Sequence, residues 1–237
     1  MKILAFDSTA KAASAAICDG EKLLALYNID NGLTQSELLL PMIENLLSSL
    51  KLDYSDIDIF ASSVGPGSFT GVRIGVALLK GLAFGREAAC VGVSTLEALA
   101  ENARGLSGLI VPVMDARRNE FYNAIFRYDG GELKRLTPDR AISADELAKE
   151  LIAYGEEIHL TGDGYDVATK LLSERGVTLS ETPLLLRCEN AYSIAKIALE
   201  KYKNGEILTD SEIMPTYLRL PQAERERLER LQMKGEN

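Results

Sequence analysis

The stretch Gly65-Pro66-Gly67-Ser68-Phe69-Thr70-Gly71-Val72-Arg73-Ile74-Gly75 limits the fold of this chain more than any other, because it joins an apolar run over 57–64 to a long apolar segment ending near Gly85. That order reads as strand, tight turn and helix. Gly65 and Gly67 allow backbone angles that a Cβ forbids, Pro66 fixes its own φ, and Ser68 or Thr70 can cap the first helical turn. Free N–H groups at such a helix start form a potential anion pocket, yet an ordinary strand-to-helix corner uses glycines in the same way. Both readings are open. The spacing is neither GxxxxGK[ST] nor GxGxxG, so it supports neither a P-loop nor a dinucleotide fingerprint.

The helix after this loop is apolar almost all round, with Arg73 and Lys80 on one narrow stripe and Val72, Ile74, Val76, Leu78, Leu79, Leu82 and Phe84 over the rest. A helix of this kind is buried on several sides. Gly71 and Gly75, one turn apart, remove side chains from one face and invite another backbone to approach. A partner's helix or a central position inside one subunit satisfies the pattern equally. The stretch 34–50 is a second apolar helix, with Leu38, Leu39, Met42, Ile43, Leu46, Leu47 and Leu50 on its broad face. Pro41 inside it removes a backbone hydrogen bond and is expected to bend it. This face too is either a contact surface or sheet packing.

With 237 residues the chain can bury one large or two modest cores. The opening MKILAFDST reads as a strand, not a signal peptide, and no apolar run is long enough to span a bilayer, so a cytoplasmic protein without a membrane partner is expected. Cys18, Cys90 and Cys188 are far apart and in no CxxC pattern, which suggests reduced thiols and neither a disulfide framework nor a zinc site. Lys plus Arg is 26 against 35 Asp plus Glu, and the net charge of −9 opposes unaided binding to a phosphate backbone. The sole histidine, His159, sits in the apolar run Ile158-His159-Leu160 as a core or sheet residue. Serine-hydrolase chemistry and a multi-histidine metal site are therefore poorly supported.

In chain order, strands are expected at Lys2 to Phe6, Ser14 to Cys18 and Leu23 to Asn28, the last two joined by a turn at Asp19-Gly20-Glu21-Lys22. Asp7-Ser8-Thr9 closes the first strand at the end where α/β sheets place ligands, and Asp7 there either holds a cation or phosphate or caps a turn. After the organising loop come a strand at Ala89 to Val93 and a helix at Ser94 to Arg104, with Ser94 and Glu97 in capping-box spacing. Gly105-Leu106-Ser107-Gly108 is the best linker. Beyond it, Leu109 to Met114 is a strand ending in Asp115, followed by a hairpin of Glu120 to Tyr128 and Glu132 to Leu136. Element order thus hints at duplication. Further on are a capped helix at Ser143 to Tyr154, a strand at Ile158 to Thr161, the turn Gly162-Asp163-Gly164, and helices near 166–175 and 190–203. The tail over 222–237 mixes charges that largely cancel.

The runs ILAFDST at Ile3 to Thr9, GPGSFTGVRIG at Gly65 to Gly75, DARRNEFY at Asp115 to Tyr122 and PTYLR at Pro215 to Arg219 together resemble the bacterial TsaB (YeaZ) family. The match runs from the first strand to Arg219 and is most specific in the glycine loop. The resemblance implies an actin-like, Hsp70-like ATPase (ASKHA) fold of two related α/β domains with mixed sheets: 1–105, 106–220, and a charged tail at 221–237. It also implies a non-catalytic subunit in the modification that places threonylcarbamoyl on a tRNA adenosine, paralogous to the TsaD-type transferase. The transferase's HxxxH metal pair falls here on Thr95 and Leu99, and neither replaces an imidazole.

For sites, the resemblance implies a partner surface and not a catalytic centre. Leu39, Met42, Ile43, Leu46, Gly71, Val72, Gly75, Val76, Leu79 and Leu82 are the expected interface, and a charge at Val76 or Leu79 is expected to abolish association. The partners so implied are the transferase paralogue in a heterodimer, a second copy when the chain is alone, a TsaE-type ATPase, and tRNA only through the complex. ATP and a metal ion belong to those partner subunits; no catalytic residue or metal ligand is assigned here. A nucleotide, if held, would meet Asp7, Ser8, Thr9, Gly162 and Gly164. Compared with the DxGT-type phosphate turn of actin-like ATPases, Asp7-Ser8-Thr9 is one residue tighter and lacks the glycine. The alternative is a small-molecule kinase or ATPase of the same fold.

Overall fold

The computed structural model describes residues 1–219; the charged tail at 221–237 lies outside the described residues. β1 (Lys2–Asp7), β2 (Ala13–Asp19) and β3 (Lys22–Ile29) form an antiparallel meander. Thr34 caps α1 (Gln35–Leu50), with Glu37 closing a capping box, and the helix runs through Pro41 without interruption. β4 (Ile59–Gly65) then pairs parallel with β1, α2 (Phe69–Ala83) comes next, and β5 (Ala89–Ser94) pairs parallel with β4. The first sheet has the order β3-β2-β1-β4-β5. α3 (Thr95–Asn102) leaves it from Ser94, whose hydroxyl accepts the Glu97 N–H.

The second sheet repeats the plan. β6 (Leu109–Asp115) is its β1, and β7 (Glu120–Asn123) and β8 (Phe126–Asp129) run antiparallel along it in one register, Val113 facing Asn123 and Leu109 facing Arg127. The strand expected over 120–128 is therefore present, interrupted at 124–125. β9 (Glu132–Arg135) borders β8 and β10 (Arg140–Ser143) borders β7. α4 (Ala144–Tyr154) carries the expected Ser143–Glu146 capping box, and β11 (Ile158–Thr161) pairs parallel with β6, as β4 does with β1. α5 (Tyr165–Ser173), a short α6 (Leu184–Arg187) and α7 (Ala191–Lys203) complete the order. Each lobe is thus a meander, a helix, a parallel strand and a second helix, with its central strand ending in an aspartate, Asp7 or Asp115. This is the duplicated actin-like plan, now visible in strand pairing.

The layers follow from which faces are apolar. α1 and α2 cover one face of the first sheet through Leu39, Ile43, Leu46, Val76 and Leu79 packed on Leu4, Phe6 and Phe60. α4 and α5 cover the outer face of the second sheet. Between the sheets lie α3, with Leu96 and Leu99 on Ile110 and Met114, and α7, with Ile194 and Ala198 on Ile3, Ala5 and Val91.

One boundary is corrected. The division at 106–220 puts α7 in the second domain, whereas it packs on the first sheet. That sheet's strands β1, β2 and β4 are buried on both faces, so they need a helix on each side, and the chain must return from the second lobe to supply it. β10, α6 and a short 3₁₀ turn at Tyr54–Asp56 were not anticipated. His159 is buried in β11 as expected, and the three cysteines are free, Cys18 and Cys90 buried and Cys188 exposed. Among the described residues no helix is long and apolar enough to cross a membrane.

Candidate functional site

The runs at 3–9, 65–75, 115–122 and 215–219, scattered along the chain, converge between the lobes. Ser68 at the start of α2 donates its N–H to the Thr9 carbonyl at 2.7 Å, and the Ser8 hydroxyl reaches the Gly71 carbonyl at 2.8 Å. Thr216 donates to the Val64 carbonyl at 2.7 Å, and Tyr217 stacks on Phe69 with centroids 4.8 Å apart. Arg73 lies 3.9 Å over the Phe69 ring and donates to the Tyr217 hydroxyl at 2.8 Å. Arg219 then crosses to the second lobe, where it binds the Ala116 carbonyl and the Glu120 carboxylate. The C-terminal segment ending at Arg219 is therefore a strap from one lobe to the other.

Glycine makes these approaches sterically possible. A Cβ on Gly71 would stand 1.9 Å from the Ser8 carbonyl oxygen, and one on Gly65, whose φ is +112°, would stand 2.5 Å from that of Thr216. Peptide 65–66 is cis. In the second lobe the same corner recurs, with Gly162 and Gly164 against the Val113 carbonyl at 2.4 and 2.9 Å from their would-be Cβ atoms. The DARRN turn is also unusual, since Arg117, Arg118 and Asn119 all have positive φ of 68°, 57° and 58°. The Asp115 carboxylate holds it by accepting the Arg117 N–H at 2.7 Å.

These contacts enclose a cavity of about 650 Å³ lined by both lobes and by the strap. None of the candidate nucleotide residues Asp7, Ser8, Thr9, Gly162 and Gly164 lines it: their chain neighbours Ala10, Lys11 and Asp163 do, and their own polar groups are largely engaged within the protein. Asp7, Ser8 and Thr9 are fully buried, and Asp7 Oδ1 accepts both the N–H and hydroxyl of Thr9. Gly162 donates its N–H to the Arg187 carbonyl and Gly164 to that of Val113. Ser68 caps α2 itself by accepting from Gly71. Of the two readings of the glycine loop, the geometry favours a packing corner over a phosphate cradle.

Three carboxyl groups near the lobe boundary are shifted, of which only Asp163 lines the cavity. Burial pushes the Asp7 carboxyl up, against the opposing influence of Ser63 and Thr9. Burial also drives Glu189 well above the usual carboxylate range, reinforced by the charges of Asp7, Asp163 and Asp30. Asp163 is pushed up to about 6, first by burial. Sequence reasoning noticed Asp163 as a carboxylate in a glycine turn but missed Glu189, which comes after Cys188 in an unremarkable connector; only the tertiary fold sets it beside Asp7.

The expected interface requires correction. In the subunit Leu39, Met42, Ile43, Leu46, Val72, Val76, Leu79 and Leu82 are buried in the core of the first lobe. Gly71 and Gly75 are also buried, and the atoms they admit belong to Ser8 and Ser62, not to a partner's helix. Sheet packing wins because both helices must cover the face of a five-stranded sheet before anything else can meet them. A charge at Val76 or Leu79 would unfold the subunit. On α1 the outward positions are mainly polar, among them Glu44, Asn45, Ser48 and Ser49. On α2 the outward side carries Thr70 and Arg73 in its first half and turns apolar in its second: Ala77, Gly81 and, at the C-cap, the 75 % exposed Phe84 are open, with Ile74 and Leu78 half-buried beside them. Ala77 and Gly81 are again small residues one turn apart, and a Cβ on Gly81 would meet nothing within 4 Å. Thr95 and Leu99 are buried, Leu99 in the core between α3 and the second sheet.

Comparison with known proteins agrees with this geometry. The family model of TsaD, tRNA N6-adenosine threonylcarbamoyltransferase, matches residues 34–225. The chain is 30% identical to the tRNA threonylcarbamoyladenosine biosynthesis protein TsaB of Escherichia coli over 92% of this chain and 95% of that protein. It is 36% identical to TsaB of Bacillus subtilis over 63% of this chain and 67% of the relative. The solved structure of YeaZ from Pseudomonas aeruginosa superposes with a TM-score of 0.76 at 25% identity, covering 92% of this chain and 99% of that one. The chain belongs to the TsaB family, within the wider family that the transferase model describes.

Proposed function

We propose that this member of the TsaB family serves tRNA threonylcarbamoyladenosine biosynthesis as a non-catalytic subunit that docks a TsaD-type transferase paralogue through the outward side of α2. The observation carrying this reading is the exposed apolar stripe of Ala77, Gly81 and Phe84, flanked by Ile74 and Leu78. Small residues one turn apart let a second helix approach closely, while Phe84 supplies an anchor of the kind that dominates interfaces. Met214 of the strap, 63 % exposed, extends the stripe beside Lys80, whose ammonium contacts the Met214 sulfur. Alone, the chain covers the stripe with a second copy; in the complex the paralogue displaces it.

Charge supports a division of labour. At −9 the chain repels a phosphate backbone, so tRNA is bound through the complex, and ATP and a metal ion belong to the transferase and a TsaE-type ATPase. The kinase or ATPase alternative asks Asp7 and the glycine turns to hold phosphate and magnesium. Their donors are engaged internally, and burial favours the uncharged form of Asp7. A proteolytic activity has little to work with: His159 is buried, and among the described residues no group of three metal-ligating side chains could hold an ion.

Light scattering of the full chain, alone and mixed with the transferase paralogue from the same organism, tests the proposal. A homodimer giving way to a one-to-one heterodimer is the expected result. Ala77→Asp and Phe84→Asp, both at open positions, should keep the native thermal midpoint and weaken association by about 2 kcal/mol or more each. A mass unmoved by the paralogue, or variants that associate normally, would reject the assignment.

A further inference from the structure

The glycine-loop run at 65–75 carries an arginine that neither the packing corner nor the cavity uses. Arg73 is exposed on α2, with its guanidinium carbon 3.9 Å from the centre of the Phe69 ring and 5.8 Å from that of Tyr217. Its Nε donates to the Tyr217 hydroxyl at 2.8 Å. Tyr217 is in turn stacked on Phe69 and tied down by the N–H of its neighbour Thr216 on the Val64 carbonyl. The guanidinium is therefore held on one flat face and at one nitrogen. Among the described residues neither Nη nitrogen of Arg73 has a hydrogen-bond partner, and no carboxylate pairs with it.

Position and charge indicate what those two nitrogens meet. At about 3.6 residues per turn, Arg73, Ala77, Gly81 and Phe84 fall on one arc of the helix surface, so Arg73 stands one turn before the apolar stripe and faces the same way. The α2 sequence FTGVRIGVALLKGLA has two cations and no acid, on a chain whose net charge is −9. Lys80 is turned to the strap, where its ammonium reaches the Ser211 carbonyl at 3.3 Å and the Met214 sulfur at 3.7 Å. A cationic helix face is complementary to an acidic one, and a planar guanidinium with both Nη nitrogens open matches the two oxygens of a carboxylate. Stacking and the Nε hydrogen bond have already restricted the side chain, so a pair formed there needs little further ordering.

We infer that Arg73 is the charged anchor of the α2 docking surface and pairs through its two Nη nitrogens with an Asp or Glu carboxylate of the TsaD-type paralogue. Tyr217 acts as its positioning residue. The inference rests on the docking proposed above and adds the selectivity that the apolar stripe lacks. Ala77, Gly81 and Phe84 accept any closely approaching apolar helix, whereas an arginine one turn away leaves a charge unpaired against every partner that does not bring an acid to it.

Titration calorimetry of the full chain with the full-length paralogue tests it. Arg73→Ala and Arg73→Lys should each weaken the heterodimer at least tenfold, because lysine keeps the charge but not the bidentate geometry. Tyr217→Phe, which keeps the stack and loses the hydrogen bond, should weaken it about threefold. A double-mutant cycle separates pairing from strap packing: one carboxylate residue of the paralogue, changed to alanine, should cost as much as Arg73→Ala and nothing further in the Arg73→Ala background, and its reversal to arginine should restore binding to Arg73→Glu. Undiminished affinity in Arg73→Ala, coupling to none of the paralogue's carboxylates, or a loss seen only with ATP present, which assigns the nitrogens to a phosphate, would each overturn the inference while Phe84→Asp still upholds the stripe. A paralogue that does not bind the unaltered chain rejects the docking and this inference together.

Discussion

The corners β4–α2 and β11–α5 occupy equivalent places in the two lobes and do different work. Both press glycines onto the backbone near the end of the central strand, Gly71 onto Ser8 in the first lobe and Gly162 and Gly164 onto Val113 in the second. In the first lobe the contact is sealed, with Asp7, Ser8 and Thr9 fully buried, and the 15-residue helix after it turns an apolar side outward. In the second the turn leaves Asp163 and Asp115 in the wall of the cavity, and the helix is 9 residues long with Asp166, Val167 and Lys170 outward. Both copies of this duplicated device contribute to the cavity wall, the first through Pro66, Ser68 and Phe69 and the second through Asp163, but only the first also carries a helix with an apolar outward stretch. Residues beyond the glycines decide that difference.

The sharpest way to break the comparison is to put a methyl group into each corner. Gly71→Ala places it 1.9 Å from the Ser8 carbonyl oxygen, and nothing flexible stands there to yield. Denaturant unfolding should show a loss of about 4 kcal/mol or more, or no soluble protein. Gly164→Ala meets the Val113 oxygen at 2.9 Å and is expected to cost distinctly less. Equal losses would mean that the two corners are packed alike.

A pH series probes the electrostatic half of the contrast. The folded Asp163 carboxyl, pushed up to about 6 from 3.8, holds a proton that the unfolded chain has already released. Its contribution to stability is therefore fully present below pH 4 and is lost as pH rises towards 6 and beyond. Asp163→Asn should flatten that fall and raise the unfolding midpoint most at neutral pH. A slope unchanged by the substitution would assign the proton uptake to Asp7 and Glu189 alone.

Helix capping and surface propensity give smaller effects. Ser68→Ala removes the side-chain cap of α2 and should cost about 1 kcal/mol, a loss with no counterpart in α5, where Gly164 occupies the cap position. Gly81→Ala, in open space on α2, should stabilise the isolated subunit by about 0.5–1 kcal/mol. Gly75→Ala on the inward side, 2.6 Å from Ser8 Oγ, should do the reverse. If both glycines tolerate alanine equally, the inward and outward sides of α2 have been assigned wrongly.

Local patterns were legible to the extent that neighbours along the chain decide them. β1 to β3, α1, the β4–α2 corner, the Ser143–Glu146 capping box and β11 were all readable from alternation, apolar pattern, capping spacing and glycine placement. The repeated strand-end aspartates and element order disclosed the duplication. Periodicity also showed that α2 is apolar on nearly every side. It could not say which side faces the sheet, so Val76 and Leu79 looked as available to a partner as Ala77 and Phe84.

By itself the sequence determined the element types, the family, and the lack of imidazole at Thr95 and Leu99, because these depend on residue identity and short-range spacing. Only the tertiary structure decided that Gly71 and Gly75 admit Ser8 and Ser62, that α7 returns to the first sheet, and that Asp7 and Asp163 come near enough to act on Glu189. Burial and charge coupling are properties of position in space. Residues separated by more than a hundred positions acquire a common environment only when the two lobes close around it.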